Sequence, residues 1–172
     1  ASAFAMRETP RSAAAPADPS YGQLWAFKNT GQWVTSSVQE GSGSLYGYGS
    51  NPGTPGDDIH IEPAWGVTTD CSGTIVAVLD SGVNYNHQDL AANMWDGGAS
   101  YPNHGWDWVD DDDDPMDLSG HGTPVAGTIG AVGGNASGVA GVCWKARLMA
   151  VRALHAVGMA DVNNFYGLIS FL

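Results

Sequence analysis

Two stretches hold residues able to do acid–base chemistry. SGHGTPVAGTIGA, residues 119–131, sets His121 between two glycines, just ahead of a run of small apolar residues. VAVLDSGVNYNHQDL, residues 76–90, carries an apolar segment into Asp80, Ser81 and Gly82. The ordinary pKa of an imidazole lies near neutrality, so His121 can take and return a proton at physiological pH. A carboxylate that accepts the Nδ1 proton fixes the tautomer and leaves Nε2 free to deprotonate a nucleophile. Asp80 and His121 are far apart in sequence, so only the fold can make them partners.

The surrounding pattern shows how that happens. Residues 75–79 are a continuous apolar, β-branched run, which predicts a strand buried on both faces as in a parallel sheet. Residues 122–132 predict a helix, with Pro124 tolerated in its first turn. Residues 146–154, ARLMAVRAL, predict a second buried strand, and residues 162–172 the start of another helix. Strand, helix, strand, helix gives an α/β fold with a parallel sheet. In such sheets function gathers at the carboxyl ends of strands, which is where Asp80 falls. Residues 84–118 are polar. Residues 18–66, rich in Gly, Pro and Trp, predict a loop-rich arm with a short helix near residues 63–65. Residues 1–17 are Ala- and Pro-rich and are expected to be a linker or processing remnant, leaving 18–172 as one domain.

Composition narrows the partners. A net charge of −12 argues against nucleic acid and anionic membrane. No apolar run approaches the ~20 residues of a membrane span. Cys71 and Cys143 are either two buried thiols or one disulfide. Each lies just before a predicted strand, and neighbouring parallel strands would put both on the same side of the sheet. That favours a bridge, and with it an oxidising compartment.

VAVLDSGVNYNHQDL resembles the catalytic-aspartate motif of subtilisin-like serine proteases, and SGHGTPVAGTIGA their catalytic-histidine motif. The order, aspartate before histidine, is that family's. VGGNASGVAGVCW is similar to its calcium loop, and DPSYGQLWAFKNTGQW and PGDDIHIEPAW to the start of the mature domain. The resemblance spans residues 18–172 and is to the N-terminal part of a thermitase-like catalytic domain. It implies a partial, parallel-sheet subtilisin-like fold and a secreted serine endopeptidase, with His121 as general base and Asp80 orienting it. The implied nucleophilic serine and oxyanion-hole asparagine lie beyond residue 172, in the same precursor or another chain. Ser119, Ser137, Ser170, Asn163 and Asn164 lack the required setting. One departure is Pro124, where most relatives carry a second histidine.

The resemblance also implies two calcium sites. In one, Asp18, Asp89 and the Asn135 side chain join the carbonyls of Val132, Ser137 and Val139. Six oxygens suit Ca²⁺, which takes six to eight. In the other, Asp107, Asp110 and Asp112 act with the Asp114 carbonyl. The alternation of carboxylates at 110, 112 and 114 has the logic of a calcium loop by itself. Met116 replaces an oxygen ligand there, which weakens that site. The resemblance implies, too, that the strand at 146–154 continues into an edge at 158–161 that pairs with a polypeptide substrate, with Gly158 and Ala160 leaving room and Met159 lining it. His60, His87, His104 and His155 suggest no partner. Two other readings compete. One is a catalytically incomplete calcium-binding module acting as inhibitor, chaperone or interaction part. The other, a flavodoxin-like nucleotide binder, lacks a glycine-rich phosphate loop.

Overall fold

The computed structural model describes residues 15–32 and 53–155, together with the backbone at 37–38 and 47–48. The chain divides into two compact units, one of residues 1–15 and 20–68, the other of residues 16–19 and 69–172.

In the first unit a 3₁₀ turn, Tyr21–Gln23, precedes a short antiparallel ladder of β1 (Ser37–Val38) and β2 (Gly47–Tyr48) and then helix α1 (Ile61–Trp65). The sequence predicted an arm; the described residues instead surround a small aromatic core. Trp65 is buried, with the rings of Tyr21 and Phe27 each 5.9 Å away. Such ring pairs add to the area they bury. Glu62, one turn back on α1, accepts from the Tyr21 hydroxyl at 3.0 Å and from Lys28 at 2.9 Å. Burial, then that bond, raises the Tyr21 pKa. The helix begins two residues before the predicted start, because Asp58 holds the backbone entering it by accepting from the His60 N–H at 2.8 Å.

The second unit holds the parallel sheet. Strands β3 (Val76–Asp80), β4 (Gly105–Asp107) and β5 (Leu148–Arg152) run parallel in the order β3-β5-β4. Asp80, Arg152 and Asp107 stand in one row across its carboxyl edge. Helix α2 (Gly122–Gly130) packs on one face. Val78, Leu148 and Ala150 meet Ala126 there, with Val83, Leu90 and Met94 completing the core. On β3 the next residue along, Leu79, is 40% exposed, so burial on both faces does not extend to it among the described residues. The helix stops at Gly130, two residues short of the predicted end. Ala131 is already extended, and Gly130 lies against Ala146 with no room for a Cβ. Strand β4 escaped prediction because three residues, Gly-Trp-Asp, are too short to show a period.

Two cross-links tie the ends of these elements together. Cys71 and Cys143 form a disulfide, with Cα atoms 5.8 Å apart. Buried Asn93 donates to the carbonyls of Gly130 at 2.8 Å and Trp144 at 3.0 Å, fixing the exit of α2 against the approach to β5. The segment predicted as a helix at residues 162–172 lies outside the described residues.

Candidate active site

Asp80 ends β3 and His121 immediately precedes α2, and the fold brings them into contact. His121 Nδ1 lies 2.7 Å from Asp80 Oδ1. The Asp80 side chain is 10% exposed and that of His121 70%, so the carboxylate is sunk in the fold and the imidazole is offered to solvent. The Asp80 hydrogen bond, followed by its negative charge, raises the His121 pKa above its ordinary 6.5, with a smaller contribution from Asp117. With Nδ1 protonated toward Asp80, Nε2 is the nitrogen left to accept a proton.

The approach is close because Gly122 has no side chain. A Cβ there would sit 2.1 Å from the Gly82 carbonyl oxygen and 3.0 Å from Asp80 Cβ. The glycine after the histidine is therefore a packing requirement as well as an opening for a ligand.

Sequence reasoning missed the residues that hold this arrangement. Ser81 Oγ donates to Asp117 Oδ1 at 2.8 Å and accepts from the Gly122 N–H at 3.0 Å. Asp117 also accepts from Ser119 N, Gly120 N, Thr123 N and Thr123 Oγ1. Burial favours the neutral form of Asp117, but these bonds, that from the Thr123 hydroxyl foremost, outweigh it and hold its pKa below 3.8. A signal was available. An aspartate shortly before a helix, with small polar residues between, is a pattern that satisfies free N–H groups at a helix start.

The first predicted calcium set comes together in part. Asp18 and Asp89 are both buried. Asp18 accepts from Gly134 N at 2.7 Å and Asn135 N at 3.2 Å, while Asn135 Nδ2 donates to Asp89 Oδ1 at 2.8 Å. Val139 N donates to Asp89 Oδ2, Val132 N to the Asp89 carbonyl, and Ser137 N to Asn135 Oδ1. Gly138 carries φ +39°, and a Cβ on it would meet Asp89 Oδ2 at 2.4 Å. The loop is thus shaped around a buried carboxylate.

The second set is arranged differently. Asp107, fully buried, bonds to Arg152 through Oδ2 and accepts from Val109 N and Asp110 N through Oδ1. The Asp110 carboxylate bonds to the same guanidinium. Asp112 pairs with Asp107 through the backbone, and Asp114 accepts from the Tyr85 hydroxyl at 2.7 Å. Burial and then this bond push the Tyr85 pKa up to about 12. Arg152, a cation at the carboxyl end of an apolar run, was the sequence signal for this pairing. No group of three or more His, Cys, Asp and Glu side chains forms a metal cluster among the described residues.

Three histidines left without partners have them. His60 Nδ1 lies 2.9 Å from Asp58, His104 Nδ1 2.8 Å from the Trp95 carbonyl, and His87 Nδ1 accepts from Asp89 N. Gly158, Met159 and Ala160 lie outside the described residues.

The chain is similar to known proteins. The chain is 41% identical over 107 residues to a thermophilic serine proteinase of a Bacillus strain, covering 62% of this chain and 25% of that protein. It is 40% identical to thermitase of Thermoactinomyces vulgaris over 58% of this chain and 33% of the relative. The chain thus spans a quarter to a third of the length of these relatives. The structure of a serine protease of Aeromonas sobria in complex with a chaperone aligns with TM-score 0.64 and 29% identity, over 84% of this chain and 21% of that one. The subtilase family profile matches residues 71–167, which include both Asp80 and His121. With the parallel sheet and the aspartate–histidine contact at its carboxyl edge, this match places the chain in the subtilase family.

Proposed function

We propose that the chain is part of a secreted serine endopeptidase working by acyl transfer, with Asp80 and His121 as two members of its catalytic triad. The observation that carries this is the 2.7 Å contact between a buried carboxylate and an exposed imidazole. In this reading His121 Nε2 takes the proton of a serine hydroxyl as the oxygen attacks the peptide carbonyl. It then returns that proton to the leaving amine. Asp80 holds the ring and stabilises the imidazolium between the two steps. The serine and the oxyanion-hole asparagine come from beyond residue 172, from the same precursor or a second chain. The substrate is a polypeptide. Extracellular placement is supported by the disulfide and by a 37% identical halolysin-like protease of Natrialba magadii described as extracellular.

Calcium fits the first donor set. Asp18 and Asp89 are buried carboxylates with no cationic side chain against them among the described residues, and Asn135 stands between them. Asp18, Asp89, Asn135 and the carbonyls of Val132, Ser137 and Val139 would hold the ion, with the Asn135 amide turned so that Oδ1 rather than Nδ2 faces it. At the second set a cation would have to share Asp107 and Asp110 with Arg152.

Peptide hydrolysis by the complete protein tests the catalytic assignment. His121→Ala should lower kcat on the order of 10⁶-fold and Asp80→Ala on the order of 10⁴-fold, with substrate binding retained. Activity close to the parent's in either variant would rule out these roles.

A further inference from the structure

We propose that Asp117 is the positioning residue of the Asp80–His121 pair, clamping the backbone on both sides of His121 to the turn that carries Asp80. Five donors converge on this one carboxylate: Ser81 Oγ, the N–H groups of Ser119, Gly120 and Thr123, and Thr123 Oγ1. The bonds are not scattered. Gly120, just before His121, is held directly at 2.8 Å. Gly122, just after it, is held through Ser81 Oγ, which bonds Asp117 in turn. Ser81 follows Asp80 and also donates its N–H to Asp80 Oδ1 at 2.7 Å. The Thr123 hydroxyl donates to Asp117 at 2.6 Å and accepts from Asn84 N at 2.9 Å, adding a second strut to the loop after β3.

His121 needs such support. Its side chain is 70% exposed and has little packing of its own to hold it. Its place over Asp80 therefore depends on where the backbone at 120–122 sits. A carboxylate suits the task because every group facing it is a donor. An amide there would turn its NH₂ against one of the two donor sets. Displacing a catalytic group by about 1 Å can cost on the order of 10²-fold in rate, so a residue that touches no substrate can still govern turnover.

The catalytic consequence rests on the endopeptidase reading; the positioning itself does not, and the test separates them. In the complete protein, Asp117→Ala and the milder Ser81→Ala are compared with the parent by NMR of the His121 imidazole and by peptide hydrolysis. Asp80 and Asp117 are the two groups acting on that ring. In Asp117→Ala we expect a weakened Nδ1–H signal and titration at lower pH. We also expect kcat per folded molecule to drop on the order of 10²-fold with KM little changed. Ser81→Ala should move in the same direction by less, and Asp117→Asn should fall between Asp117→Ala and the parent. If the imidazole signal, its titration and kcat per folded molecule all match the parent in the variants that fold, Asp117 only stabilises the fold and the proposal is overturned. If Asp117→Ala does not fold, Ser81→Ala decides by the same criterion. A parent that hydrolyses no peptide would sink the endopeptidase reading, while the NMR comparison would still decide the role of Asp117.

Discussion

His121 can work as a base only in its neutral form, and Asp80 stabilises the charged one. The direction follows: a raised His121 pKa means that kcat/KM rises with pH through an inflection above the ordinary 6.5. Below that inflection the ring is protonated and cannot accept the hydroxyl proton. A pH profile of kcat/KM checks this, and an inflection below 6.5 would mean that Asp80 does not hold the ring as described. Both residues were legible in the sequence because each sits in a long motif. Asp117 was not, although it gathers more hydrogen bonds than either. It stands at the end of an aspartate-rich run, where one carboxylate looks like the next, and only the chain's path shows which of them meets donors.

At the scale of elements, β3, α2 and β5 were visible because each is long enough to show its period or its apolar run. Their ends moved by one or two residues. Such ends are decided by contacts the sequence does not display, such as Gly130 against Ala146 or Asp58 beneath α1. The pairing β3-β5-β4 was only partly accessible, since β4 is three residues of a polar segment. The alternation of Asp110, Asp112 and Asp114 has the spacing of a calcium loop, and the resemblance added Asp107; in the fold Arg152, at the end of β5, pairs with Asp107 and Asp110. The disulfide was foreseen as one of two alternatives. It closes a loop with a sequence separation of 72 residues between the approaches to β3 and β5, where constraint of the unfolded chain is substantial. Replacing both cysteines by serine should cost about 2–4 kcal/mol, measured by denaturant unfolding of the complete protein. A change near zero would show that the strands hold each other without the bridge.

For the whole molecule, two buried carboxylates from distant parts of the chain, Asp18 and Asp89, converge on one loop. Calcium bound there would stabilise the folded form by mass action, about 2.7 kcal/mol at a hundredfold excess over Kd. Thermal unfolding with calcium and with a chelator should therefore give a higher Tm with calcium, and Asp89→Ala should abolish the difference. An equal Tm in both conditions would remove the ion from the account. Among the described residues no helix is long and apolar enough to cross a membrane. The central claim is that Asp80 and His121 activate a serine. The most direct test is intact mass of the native material followed by reaction with a fluorophosphonate serine probe. The expected result is labelling of one serine, on a longer form of this chain or on a companion chain, lost on His121→Ala. A properly folded parent that takes no label, or labelling that persists in His121→Ala, would contradict it.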